Sequence, residues 1–169
     1  MEIQRETRPL LQELSLLIQK LPPEVFTASI PVLNGQTIGK HIRHILEFYE
    51  CLCHWKSGTP LDYSVRKRDV GLECQPQKAL EKCTDLFPLL DDLSVVDRMW
   101  VFPDVSNPDP EPVESTIGRE LMYLFDHTMH HLAMIQMALK TSFPEIAVPK
   151  KLGMAHSTRR QMPNTTHQI

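Results

Sequence analysis

Apolar residues recur at helical spacing in four stretches of the chain. From residue 3 to residue 21, Leu10, Leu11, Leu14, Leu17, Ile18 and Leu21 line one side and charged residues the other. Pro22-Pro23 stops that helix, and a loop of roughly a dozen residues follows, with Pro31 and Asn34-Gly35 as turn signals. A second helix is predicted over 37–56, capped by the Thr37 side chain and ended by Ser57-Gly58-Thr59-Pro60. Its stripe is Ile38, Ile42, Ile45, Tyr49 and Leu52. A third spans 76–93 with Ala79, Leu80, Cys83, Leu86, Phe87 and Leu90 inward, and Pro88 predicts a kink or an early end. The fourth, over 116–141, opens at Ser115-Thr116 and buries Ile117, Leu121, Leu124, Thr128, Ile135 and Leu139.

Between these helices the pattern changes. Residues 57–75 form an irregular connection, rich in charge from Leu61 to Asp69. Met99-Trp100-Val101-Phe102 has strand composition and Asn107-Pro108-Asp109-Pro110 is a turn cluster, so a short hairpin or an extended lid is expected near 95–113. Pro144 and Pro149 end the fourth helix, Leu152 to Thr158 returns as coil, and residues 159–169 read as a flexible C-terminal tail. The expectation is an all-α fold, one helical bundle domain over 1–158, with the two long connections covering its ends.

Composition adds bounds. A chain of 169 residues with 41% hydrophobic content has enough material for one buried core. Eighteen basic residues against 21 acidic ones, in no long runs, argue against a nucleic-acid partner. No apolar run approaches the roughly 20 residues that span a bilayer. The charged start Met1-Glu2-Ile3-Gln4-Arg5-Glu6 lacks the apolar segment of a secretory signal. A cytoplasmic protein with reduced thiols at Cys51, Cys53, Cys74 and Cys83 is the expectation. Cys51 and Cys53 face nearly opposite sides of a helix and read as small apolar residues.

The chemistry lies in two histidine clusters on different helices, His41-Ile42-Arg43-His44 and His127-Thr128-Met129-His130-His131. His127 and His131 are one turn apart and roughly 40° around the helix, close enough to share a metal ion. An isolated pair of this spacing is more often structural; the second cluster changes that balance. On the helical wheel His41 falls near the buried stripe and His44 on its flank, in line with Phe48, Cys51 and Trp55, so geometry alone nominates His41 as the buried partner. Glu120, His127, His131 and Met134 form a line flanking the fourth stripe, at the rim of the core. Arg66 and Arg68 are ordinary residues of a solvated loop, or a grip for a carboxylate or phosphate. Glu120 suits the first turn of a helix, and it could also act as a base beside the histidines.

Thr37-Ile38-Gly39-Lys40-His41-Ile42-Arg43-His44, Asp62-Tyr63-Ser64-Val65-Arg66-Lys67-Arg68, Ser115-Thr116-Ile117-Gly118-Arg119-Glu120-Leu121 with His127 to Ile135, and Gly153-Met154-Ala155-His156-Ser157-Thr158 together resemble the DinB/YfiT-like superfamily. His156 departs from that pattern, where a proline is expected, and Val95 to Pro112 is the weakest part of the likeness. The resemblance implies a four-helix bundle in up-down-down-up order and dimerisation. It also implies a divalent metal, zinc, nickel, iron or manganese, held by His44, His127 and His131, with His41 and His130 supporting the ligands from behind. The implied activity is transfer of a low-molecular-weight thiol, as cosubstrate, onto a small-molecule electrophile, or metal-dependent hydrolysis. A stress-related bundle that binds metal or a small ligand without catalysis is the alternative.

Overall fold

The computed structural model of the chain describes residues 2–161. Four long helices carry the core: α1 (Glu2–Lys20), α3 (Ile38–Cys53), α5 (Pro76–Asp91) and α6 (Ile117–Ser142). Three short helices, α2 (Pro23–Thr27), α4 (Val70–Cys74) and α7 (His156–Gln161), sit in the connections. The class is all-α with one small sheet, in which β1 (Arg98–Val101) runs antiparallel to β2 (Val113–Thr116), with Arg98 opposite Thr116 and Val101 opposite Val113. Leu61 ties the preceding connection to this hairpin by a parallel bridge to Val101. Among the described residues no helix is long and apolar enough to cross a membrane.

Local chemistry sets the helix starts. The Thr37 hydroxyl accepts the Lys40 N–H at 3.0 Å, and the Thr116 hydroxyl accepts that of Arg119 at 3.1 Å, each satisfying a donor the first turn would leave open. α3 stops at Cys53, a little before the expected end, and α5 continues only three residues past Pro88. The expected apolar positions of α1, α3 and α6 are all buried, whereas Leu80 and Phe87 of α5 stay partly exposed against the core. Leu11, Leu14, Ile42 and Leu121 have no accessible surface, and burying a side chain of this size contributes roughly 2 kcal/mol. That outweighs exposed pairs such as Arg98–Glu114, which contribute at most about 1 kcal/mol each.

α1 packs on α5 and α6, and α3 packs on the same two helices. The start of α1 meets the end of α5, where the Gln4 side chain donates to the Leu90 carbonyl at 2.6 Å and Arg8 pairs with Asp91 at 2.6 Å. Those two helices are therefore antiparallel. α3 and α6 are antiparallel as well, since His41 lies against His131 and Phe48 against Tyr123. α5 runs with α3: Arg43 pairs with Glu73, just before α5, and Glu50 with Lys82, within it.

The connections hold more structure than the pattern predicts. The expected loop after Pro22-Pro23 contains α2 and a single 3₁₀ turn at Pro31–Leu33, which bury Val25, Phe26 and Leu33. The charge-rich connection contains a 3₁₀ turn at Tyr63–Val65 and α4, capped by Asp69 accepting the Gly71 N–H at 2.8 Å. These segments are too short to show a periodicity; a few buried side chains fix them. Gly39 is the closest approach: a Cβ there would strike the Glu73 carbonyl and the Phe26 ring. After α6 the chain folds back and buries Leu152, with Gly153 at φ +64° against the Ala133 backbone. Arg159, placed in the tail by sequence, belongs to α7 and donates to the Met154 and Lys151 carbonyls at 2.8 and 2.7 Å. Arg160 and Gln161 complete α7, and 162–169 lie outside the described residues.

Candidate metal centre

The antiparallel contact of α3 and α6 sets the site. Its buried centre includes Tyr49 and Thr128, whose hydroxyls lie 3.2 Å apart, and the histidines flank this seam. His44, His127 and His131 each present a ring nitrogen, and these atoms all lie within 4.8 Å of one another. Their rings stand 4.5–4.9 Å apart between centroids. His41 lies beside this trio, with its Nδ1 2.9 Å from Nδ1 of His131. One of these two nitrogens carries the proton and the other accepts it. When His131 is the donor, its Nε2 lone pair is left for the shared point. His41 and His44 are both half-buried, so the wheel's preference for His41 is not reproduced. His130 is exposed and meets His131 edge-on at 5.5 Å, and no hydrogen bond links the two rings.

Burial keeps these imidazoles neutral. His44 is lowered from 6.5 to about 3, first by desolvation, then by the charges of His127 and Arg66. His127 is lowered to about 4, first by desolvation, then by His130 and Arg66. His131 and His41 move in the same direction, again mainly through burial. The Nε2 atoms of His127 and His41 are buried without a hydrogen-bond partner among the described residues. Neutral imidazoles with free lone pairs at one point are the donor set a divalent ion needs, so these residues fit one.

Around the trio the elements play distinct parts. Phe48 stacks on His127 at 4.8 Å and on Tyr63 at 4.8 Å, closing one side with an aromatic layer. On the other side a cleft of about 230 Å³ opens between Lys40, His41 and Arg43 of α3, Arg66 of the connection, and His131 of α6. Arg66 is positioned by donating to the Tyr63 carbonyl at 2.9 Å and by lying over the Phe48 ring at 5.1 Å. Arg68 is exposed and faces a larger groove of about 1310 Å³, beyond the aromatic layer, which Arg66 also borders. The two arginines share the larger groove, but only Arg66 reaches the cleft; the backbone at Arg68 is left-handed, with φ +53°.

Glu120 lies in that larger groove, not in the cleft beside the histidines. Glu120 is 4% exposed, and its carboxylate accepts the Tyr63 hydroxyl at 3.1 Å and the Ser115 hydroxyl at 2.6 Å. Those bonds, and its place in the first turn of α6, give it a structural role there. Glu47 was not nominated by sequence. It is 1% exposed, accepts the Asp69 N–H at 2.6 Å, and stands 3.8 Å from the Nε atoms of both Arg43 and Arg66. Its one sequence signal was the i, i+4 spacing from Arg43. Cys51 is a half-buried free thiol whose pKa is raised by burial.

No family model, curated protein or solved structure matches the chain.

Proposed function

We propose that the chain is a divalent-metal-dependent enzyme whose metal is held by His44, His127 and His131. The observation that carries the reading is the meeting of three neutral imidazoles, two of which, His44 and His131, line an open cleft. A divalent ion held there supplies Lewis acidity, lowering the pKa of a water or thiol at its open side. His41 orients His131 through the Nδ1 contact, and Phe48 shields the back of the trio from water. Arg66 holds an anionic group of the substrate at the cleft.

The scaffold we propose is a four-helix bundle in up-down-down-up order. The antiparallel pairs α1/α5 and α3/α6, with α5 running alongside α3, support it. The resemblance to DinB/YfiT-like proteins directs the reaction to transfer of a low-molecular-weight thiol onto an electrophile, or to hydrolysis. One observation favours the second reading, a binding module without catalysis: among the described residues no carboxylate lines the cleft beside the histidines.

The test begins with protein purified without a histidine tag. Enzymatic function requires about one divalent ion per chain and turnover of a thiol with a reactive electrophile, or of an ester or amide, that a chelator abolishes. His127→Ala should lose both the ion and the turnover. If the ion is bound and its removal lowers only the melting temperature, the binding-module reading stands instead.

A further inference from the structure

The charges around the small cleft do not balance. Three cations line it, Lys40, Arg43 and Arg66, and no carboxylate does among the described residues. Two carboxylates stand behind them. Glu73 pairs with Arg43 at 2.5 Å, and Glu47 lies 3.8 Å from both arginines. The Lys40 ammonium has no ion pair among the described residues, so the cluster carries one positive charge in excess. Three neutral imidazoles add no compensating charge, and a divalent ion held by them would raise the excess to three. A ligand entering here is therefore selected for negative charge.

Two features make the cleft a grip more than a diffuse positive field. Arg66 is already fixed by Tyr63, Phe48 and Glu47, so its guanidinium loses little freedom when it binds. The buried Nε2 of His41, which has no hydrogen-bond partner among the described residues, belongs to a ring on the cleft wall. With Nδ1 accepting from His131, that nitrogen carries a proton to donate. The volume, about 230 Å³, falls below the roughly 300–1,000 Å³ of sites for drug-sized ligands, so the group bound is small.

We infer that this cleft is an oxyanion site, with Lys40 and Arg66 gripping the carboxylate or phosphate of a small substrate whose reacting end lies at His44, His127 and His131. The role of the histidines rests on the metal-enzyme reading; the grip itself depends only on the cations. Lys40 is thus a specificity residue that neither the helical pattern nor the histidine spacing singled out.

The experiment titrates inorganic phosphate and, separately, succinate into tag-free protein by calorimetry, metal-free and cobalt-loaded, with cobalt content measured beforehand. Lys40→Met and Arg66→Met should each weaken binding of the preferred probe by about tenfold or more, the loss of a charge-assisted hydrogen bond. Both should retain cobalt at the parent's stoichiometry, and Arg68→Met, on the other groove, should bind like the parent. The probe that binds more tightly identifies the oxyanion as phosphate or carboxylate. Protein that fails to hold cobalt, yet binds a probe in a Lys40- and Arg66-dependent way, would remove the metal reading and support the oxyanion site. Equal binding of both probes by the parent, Lys40→Met and Arg66→Met, or no binding in either state, overturns it.

Discussion

Acid should destabilise the metal-free protein as the pH falls below 6.5. His44 and His127 are held at about 3 and 4 against an ordinary 6.5, chiefly by burial, and His131 and His41 are displaced in the same direction. The folded protein keeps these rings neutral, while the unfolded chain protonates them below pH 6.5. Each group's stabilisation is therefore complete above pH 6.5 and is lost as pH falls toward the folded value. At pH 5 a single group has lost about 2 kcal/mol, and His44, His127 and His131 together set a ceiling of about 6 kcal/mol. The His44 and His127 rings are only partly buried, and His44 and His131 line an open cleft, so screening reduces this to about 3 kcal/mol, still a large share of the roughly 5–15 kcal/mol that holds a domain folded. Two paired carboxylates act below this window. Asp69 is lowered by Lys78 and the Gly71 N–H; Glu50, which burial alone would raise, is lowered by Lys82 and Lys67. Their stabilisation is lost only below about 3.8 for Asp69 and about 4.5 for Glu50, the ordinary values for the two residue types. The assay is urea unfolding of chelator-treated protein at half-unit steps from pH 7 to 5. The slope should correspond to one to three protons taken up on unfolding, and His44→Asn or His127→Asn should flatten it. A constant stability between pH 6.5 and 5, or the same slope in both variants, would refute the reasoning.

Protons and a divalent ion compete for the same lone pairs, so metal affinity, measured with a competing chelator, should fall over the same interval. His41→Ala removes the Nδ1 contact with His131 and should weaken metal affinity by about 10–100-fold while the fold, followed by circular dichroism, stays intact. Glu120→Gln replaces one acceptor oxygen by a donor facing Tyr63 or Ser115, and should cost about 1–3 kcal/mol in denaturant unfolding without changing metal stoichiometry. Gly39→Ala gains helix propensity of about 1 kcal/mol but drives a methyl into the Glu73 carbonyl and the Phe26 ring, so a net loss of stability is expected. A melting temperature at or above the parent's would show that α2 and α4 yield at no cost.

Much of this was readable without the fold because it depends on neighbours in the chain. Helical periodicity is local, and the stripes of α1, α3 and α6 were buried as spaced. Thr37 and Thr116 act on backbone N–H groups three residues away, and His127 and His131 converge because one turn separates them. What needed tertiary structure is set by contacts across the chain. α3 shows a single apolar stripe, yet Glu47, roughly opposite its centre, is buried because α4 and the Asp69 segment cover that second face. Lys40 and Arg43 flank the histidines for the same reason: the wall of a cleft belongs to no periodic pattern. Whether His41 or His44 closed the trio depended on the height and angle at which α3 crosses α6. A wheel carries neither quantity. Arg66 and Arg68 are two residues apart and both border the larger groove, yet only Arg66 also reaches the cleft beside the histidines: it is held by the carbonyl of Tyr63, a residue that Glu120 anchors across 57 positions. Periodicity determined which residues could be helical and which faces would be apolar; the packing of those helices decided which polar residues were left to face one another.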